Sequence, residues 1–359
     1  MKKSDTTALR HIRKALARLR IDALLVSKPA NTRYLCNFST PEDGRFLVTR
    51  GSVALFTDSR YEIQAKEECP FPVTIWKGKQ RWKCVKDFLK ESGVRKLGVE
   101  GEAMSASEFS HLGKRLRCKL KSTQGIIEQL RIVKRPDELA KIKKAASIND
   151  RAFTHILPFI RAGRSEKDIA LELEWFVRKQ ADFRIAFEFI VAAGPNGAKP
   201  HAQPTARRIQ TGDLLTLDFG SIWEGYRSDM TRTVAIGKPS RELRAIYGAV
   251  RRAEREGLNA IKAGVKGRTP DQAARQVIEE RGFGEFFGHG LGHGVGLEIH
   301  EAPRLSPYSS DRLKSGMVVT CEPGIYVPEL GGVRIEDLVV VTRDGCELLS
   351  QSPKKLICL

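Results

Sequence analysis

The sequence predicts an α+β protein of two domains, a smaller α/β unit over residues 1–125 and a larger α+β unit over 126–359. Three observations carry this reading. A chain of 359 residues exceeds what a single core ordinarily organises. Its first part alternates helical and strand patterns, whereas its second groups helices apart from paired strand-like runs. The charge is also unequal: residues 1–135 hold 29 Lys and Arg against 14 Asp and Glu, and the remainder holds 33 against 29.

In the first part, Leu9 to Leu19 is basic and amphipathic, which predicts a helix. Ile21 to Val26, Arg45 to Val48 and Val53 to Asp58 are apolar runs of strand length, the last two flanking Arg50-Gly51. Trp82 to Leu89 predicts a helix closed by Gly93. A second composition begins near Gly125. Arg135-Pro136-Asp137-Glu138 has the form of a helix start, with Leu139, Ile142, Ala146, Asn149, Phe153 and Ile156 then recurring at helical spacing. Ser165 with Asp168 opens another helix, and Thr269-Pro270-Asp271-Gln272 a third that Gly282 stops, each read as a capping box. Leu214 to Phe219, Thr231 to Ile236, Met317 to Thr320 and Val333 to Val341 read as strands.

Composition excludes several classes. No apolar run approaches the ~18 residues that span a bilayer. Met1 to Lys14 is polar with no apolar stretch after it, so no secretory signal is expected. Seven scattered cysteines do not form a disulfide framework, which points to a reducing cytoplasm. The net charge of +19 invites nucleic acid as a partner, but the cations are scattered and no recognition motif accompanies them. A solvated basic surface is the simpler reading.

The most informative stretch is Phe287 to Glu301, where His289, His293 and His300 are separated mostly by glycine. Glycine lets a backbone approach a ligand, and histidine offers a metal ligand or a proton near neutrality. Carboxylates flank this run. Asp218 lies in the otherwise apolar run Leu214 to Phe219, where an unpaired charge is costly. With Ile222-Trp223-Glu224-Gly225 as a hairpin loop, Asp229 would stand directly opposite Asp218, an arrangement that needs a cation between them. Glu322 ends a second apolar run, and Glu336 lies across a hairpin turning at Pro328-Glu329-Leu330. The plainer readings are a turn-capping aspartate and a surface Glu–Arg pair. Four carboxylates and an imidazole suit hard or borderline divalent ions, and two such ions balance the four negative charges. Paired ions activate water and polarise a carbonyl, which is hydrolytic chemistry.

Taken together, these residues resemble the pita-bread metallopeptidases, the family of methionine aminopeptidase, aminopeptidase P and prolidase. The resemblance rests on Leu217-Asp218-Phe219-Gly220, Ser228-Asp229-Met230-Thr231-Arg232-Thr233, the His289–His300 run, Cys321-Glu322-Pro323-Gly324 and Val333-Arg334-Ile335-Glu336-Asp337. Asn31-Thr32-Arg33-Tyr34-Leu35 and Thr57-Asp58-Ser59-Arg60-Tyr61 are similar to the creatinase/prolidase N-terminal domain, more weakly. The resemblance implies a pita-bread fold for the larger domain and two divalent metal ions, with Mn²⁺ expected and Co²⁺, Fe²⁺ or Zn²⁺ admissible. It implies Asp218, Asp229, His293, Glu322 and Glu336 as ligands, Asp229 and Glu336 being shared. Glu322 would also handle a proton. His201 and His300 would meet the substrate, and Arg334 would orient Asp229, with Tyr326 beside it. His289 reads as pocket-lining or structural, and His11, His111 and His155 as surface or helix residues. Ala206 stands where relatives commonly carry an acid, but not a ligand.

The implied reaction is hydrolysis of an Xaa-Pro peptide bond by a cytoplasmic homodimer. Arg304 resembles the prolidase arginine that binds a free substrate carboxylate, so the expectation leans to a dipeptidase. An aminopeptidase P acting on longer peptides is the alternative. A metal-free binding protein on the same fold is the alternative of another class.

Overall fold

The structure, a computed structural model, describes residues 6–359. The chain divides into two compact units at Arg131/Ile132. The expected division at 125/126 falls six residues early, because Ile126 and Ile127 pack into the first unit's core and the short helix Glu128–Arg131 follows them.

The first unit is a six-stranded mixed sheet in the order Val73–Trp76, Val53–Asp58, Arg45–Thr49, Ala23–Val26, Lys96–Glu100, Lys119–Thr123. Helix Thr7–Leu19 buries Leu9, Ile12 and Leu16 on one face of this sheet, as its period requires. Helices Arg81–Glu91 and Ala106–Leu116 bury Val85, Leu89, Leu112 and Leu116 on the other. Gly93 follows the first of these at φ +67°, in the left-handed conformation of a helix stop. Helices Pro29–Cys36 and Ala106–Leu116 lay outside the sequence reading.

The second unit repeats one device twice. Helices Pro136–Ile156 and Glu166–Gln180 share a core with the three-stranded sheet Met230–Ala235, Leu214–Phe219, Ile190–Ala193. Helices Arg241–Ala260 and Arg268–Glu280 share another with the five-stranded sheet Glu301–Leu305, Gly292–Gly294, Val318–Cys321, Asp337–Val341, Cys346–Leu348. Helices set apart from antiparallel strands make this unit α+β, as expected. Among the described residues no helix is long and apolar enough to cross a membrane.

Three local expectations need correction. The Ser165–Asp168 capping box forms, but the one at Thr269 does not: its helix begins at Arg268, and Asp271 is wholly buried inside it. Val333 to Val341 is two strands, Gly331–Arg334 and Asp337–Val341, because the Glu336 N–H leaves the ladder to bond the Thr231 carbonyl. The hairpin after Asp218 turns on two residues, Glu224 and Gly225, both at positive φ, rather than on four. Asp218 therefore faces Thr231, and Asp229 sits diagonal to it. A shift of two residues along a strand keeps the same face, so both aspartates still point to one side.

Candidate metal centre

The centre forms where the two sheet systems meet. Cys321 pairs with Asp337 and Gly324 with Arg334, and in the gap between these ladders stand Glu322 and Glu336. Each turns its backbone elsewhere, the Glu322 N–H to the Leu291 carbonyl and the Glu336 N–H to the Thr231 carbonyl. That places one glutamate beside the histidine run and the other beside the Asp218–Asp229 hairpin. Gly292 and Gly294 flank His293 in a strand pressed between two others, where a Cβ would run into the carbonyls of Thr320 and Ala302. Glycine at these two positions is thus required by close approach.

Donor atoms of Asp229, His293 and Glu336 lie within 4.8 Å of one another, all three residues buried. His293 Nε2 is 3.6 Å from Asp229 Oδ2 and 3.3 Å from Glu322 Oε1. Asp218 Oδ2 accepts a 2.7 Å hydrogen bond from Arg334 Nη2, while its Oδ1 is buried with no hydrogen-bond partner. Thr231 Oγ donates to Glu336 at 2.7 Å, and Thr320 Oγ to Glu322 at 3.1 Å. Neither threonine was singled out in the sequence; only the pairing register shows that Thr231 faces Asp218.

The electrostatics record a deficit of positive charge. Burial, then the neighbouring carboxylates Glu336, Asp218 and Glu322, push Asp229 well above the usual carboxylate range. Glu336 is raised likewise, by burial and by Glu322 and Asp218. Burial takes Glu322 up to about 7 against the pull of Arg334. Burial and the nearby His300 bring His293 down to about 3, so its imidazole is neutral and free to ligate. An orphaned buried carboxylate oxygen, three converging donors and uncompensated negative charge fit divalent cations.

Among the described residues, Arg334 is the cation whose side chain bonds a carboxylate of the cluster. Burial works against its charge, but Tyr326, Asp218 and Glu322 hold it protonated. It binds Asp218, not Asp229 as expected; its Nε also bonds Thr231 at 3.1 Å and its Nη1 the Tyr326 hydroxyl at 2.8 Å. The register explains the change, since Thr231 and Asp218 are opposed and Asp229 lies beyond them. Tyr326, raised to about 12 by burial, pairs with His289 Nε2 at 2.9 Å. Burial lowers His289 to about 4, which keeps it a neutral wall residue.

These residues line a cavity of about 890 Å³ that also takes in His201, His300 and Arg304. His300 packs edge-on against His293, ring centroids 4.3 Å apart, and burial lowers its pKa. Arg304 stands opposite His293 in the ladder, and its guanidinium has no hydrogen-bond partner among the described residues. His201 is exposed at the wall. The sequence reading missed the brace beneath the histidine run. Asp271 Oδ1 accepts from the Leu291 N–H at 3.0 Å, and Arg275, paired to Asp271, donates to the carbonyls of Phe287 and His289. The i, i+4 spacing of Asp271 and Arg275 was the available signal.

The profile of metallopeptidase family M24 matches residues 140–343, and that of the creatinase/prolidase N-terminal domain matches residues 9–133. The chain belongs to metallopeptidase family M24. Among solved structures it is similar to an Xaa-Pro dipeptidase from Bacillus anthracis, at 42% identity and TM-score 0.95 over 98% of this chain and 99% of that one. An X-Pro aminopeptidase from Thermotoga maritima is similar at 36% identity and TM-score 0.90, again over 98% and 99%. The Xaa-Pro dipeptidase of Pyrococcus horikoshii is 36% identical over 94% of this chain and 95% of its own. Relatives named dipeptidase and aminopeptidase thus resemble this M24 chain to a similar degree, and overall similarity does not choose between them.

Proposed function

We propose that this chain hydrolyses the bond between an N-terminal residue and a following proline, and that dipeptides are its preferred substrates. The observation that carries the choice is Arg304, an unpaired guanidinium on the cavity wall across the ladder from His293. A dipeptide presents a free carboxylate one residue beyond the scissile bond, and a guanidinium recognises it with two parallel hydrogen bonds.

Asp218, Asp229, His293, Glu322 and Glu336 would hold two divalent ions, Mn²⁺ by preference, with Co²⁺, Fe²⁺ and Zn²⁺ compatible with the same donors. Bound there, the ions supply Lewis-acid polarisation and an activated water. The chain's own residues do the rest. Thr231 and Thr320 fix the rotamers of Glu336 and Glu322. Glu322 takes a proton from the attacking water and returns it to the departing proline nitrogen. That return matters because proline brings no amide hydrogen to its bond. His300, held neutral, offers a donor to the carbonyl oxygen as negative charge develops on it, with His201 facing the same substrate. Arg334 keeps Asp218 in place, and His289 with Tyr326 closes the wall behind it. We further propose a cytoplasmic homodimer; a monomer by light scattering at micromolar concentration would refute the dimer.

The test is a competition between Ala-Pro and Ala-Pro-Ala at equal concentration on the Mn²⁺-loaded protein, with products followed by mass spectrometry. Faster loss of the dipeptide supports the reading. Faster loss of the tripeptide makes the chain an aminopeptidase, and no cleavage of either sinks both and favours a binding role.

A further inference from the structure

A second cavity lies wholly inside the first unit, about 230 Å³ in volume and independent of the metal centre. Its wall gathers Arg45, Arg81 and Arg115 with His111, against one carboxylate, Glu108. An apolar flank is made by Trp82, Met104 and Leu112. These residues come from separate elements: Arg45 opens a sheet strand, Arg81 and Trp82 begin one helix, and Glu108 to Arg115 lie along another. Like charges brought together by tertiary structure, rather than by a solvated run of sequence, need a counter-charge.

Two further observations point to a ligand. Ser27, only 8% exposed, has its hydroxyl buried in this wall without any hydrogen-bond partner. Arg81 Nε is likewise buried and unpartnered, although its guanidinium is clamped over Trp82 at 4.7 Å and Trp76 at 5.4 Å. Glu108 is engaged elsewhere, accepting from the N–H and hydroxyl of Ser105 in a capping box. Asp43 is turned to Arg60 and Tyr61. Arg45 uses only Nη1, on the carbonyls of Glu42 and Gly44.

We propose that this cavity binds a small phosphate monoester. Three guanidiniums against one carboxylate leave two positive charges, which match a phosphate near −2 better than a carboxylate that a single arginine satisfies. The Ser27 hydroxyl and Arg81 Nε supply donors for the phosphate oxygens, and the Trp82 ring with Met104 and Leu112 supports a flat or apolar body. Burial and the repulsion of Arg81 bring Arg45 down to about 10, and burial lowers Arg81; both remain cations that an anion would stabilise. A cavity this size admits a small molecule and not a nucleic-acid duplex.

The test is calorimetric titration of the full-length, metal-loaded protein with phenyl phosphate and with benzoate. Because phosphate also binds metals, three variants locate the site. In the wild type, phenyl phosphate is expected to bind saturably and more tightly than benzoate. Arg81→Gln is expected to weaken it about tenfold or more, the worth of one charge-assisted contact. Arg115→Gln, at an exposed position, gives a smaller loss in the same direction with unchanged Ala-Pro turnover, and so decides the matter if Arg81→Gln does not fold. Asp229→Asn should leave the affinity unaltered. The proposal falls if no saturable binding appears below about 1 mM. It falls also if Asp229→Asn abolishes binding while the arginine variants keep it, or if benzoate binds as well as phenyl phosphate.

Discussion

The two cavities are mirror images in charge. The larger, in the second unit, packs Asp218, Asp229, Glu322 and Glu336 around His293, with Arg334 as the cation bonded to Asp218. The smaller, in the first unit, packs three arginines with one carboxylate. They differ in how firmly the like charges are held. Asp229 and Glu336 are 5% and 2% exposed, on strands or between them, with Glu336 held by a side chain more than a hundred residues distant. Arg115 and His111 of the basic cavity lie exposed along a helix. A dry, braced cluster gains much more from a counterion than a wet one, because the field between fixed charges is less screened. Substitutions in the acidic cavity should therefore have the larger effects.

Asp229→Asn is the sharpest break. It keeps the side chain's size and removes one charge from the most crowded point, so two readouts should move in opposite directions. Turnover of Ala-Pro should fall by more than about a hundredfold, beyond the usual effect of a residue that merely supports a ligand. The metal-free variant should melt higher than metal-free wild type at pH 8, since a buried like-charge repulsion is gone. Near-normal turnover with both metals bound would remove Asp229 from the centre.

Arg334→Gln comes next. It frees Asp218 and cuts the links to Thr231 and Tyr326 together. Turnover should fall about 10- to 100-fold with metal content by atomic emission reduced, as for other residues that hold a ligand in place. Arg334→Lys should not rescue it, because an ammonium cannot bridge three partners lying in a planar fork. Full rescue by lysine would show that charge alone matters there.

Much of this was legible in the sequence, for a definable reason. Asp218 interrupts one apolar strand run and Glu322 ends another, and the histidine run is one third glycine, so local chemistry betrayed them. Residues whose role depends on register were not legible. The family resemblance matched Arg334 to Asp229; the two-residue turn at Glu224-Gly225 sets the pairing so that Asp218 meets Thr231, and Arg334 bonds those two. Glu336 looked like the middle of one strand, and only the Thr231 carbonyl that captures its N–H splits that strand. Thr269-Pro270-Asp271-Gln272 imitated a capping box because Gln272 stands three residues after Thr269, whereas the Asp271 carboxylate takes its partner, the Leu291 N–H, from twenty residues on. Patterns set by one element are readable; partners supplied by another are not.

Arg304→Ala sharpens the comparison on the substrate side, since it removes a cation that serves the ligand rather than the fold. The Michaelis constant for Ala-Pro should rise about tenfold, with that for Ala-Pro-Ala nearly unchanged, the loss of one charge-assisted carboxylate contact. An equal effect on both peptides would make Arg304 a general electrostatic contributor and remove the reason to favour dipeptides.

The smallest effect follows from the raised carboxylates themselves. Glu322 titrates near 7 in the fold against an ordinary 4.5, and Asp229 and Glu336 are raised in the same direction. A group whose pKa is raised by folding favours the folded state while protonated. Its contribution is whole below about 4.5 and is lost as pH climbs through about 7. For Glu322 this is on the order of 3 kcal/mol. In a unit of this size, that corresponds to a fall in Tm of roughly 5 °C or more. The metal-free protein should therefore melt lower at pH 8 than at pH 5.5. Mn²⁺ should raise Tm more at pH 8, where the carboxylates are charged and protons no longer compete for them. The basic cavity has a different origin of pH dependence: Arg45, at about 10, stays protonated across this window, so any growth in stabilisation by phenyl phosphate should follow the ligand's own second ionisation at about pH 6. A metal-induced gain in Tm that is the same at both pH values would mean that the acidic cluster is already neutralised within the fold, and the charge asymmetry between the two cavities would lose its physical meaning.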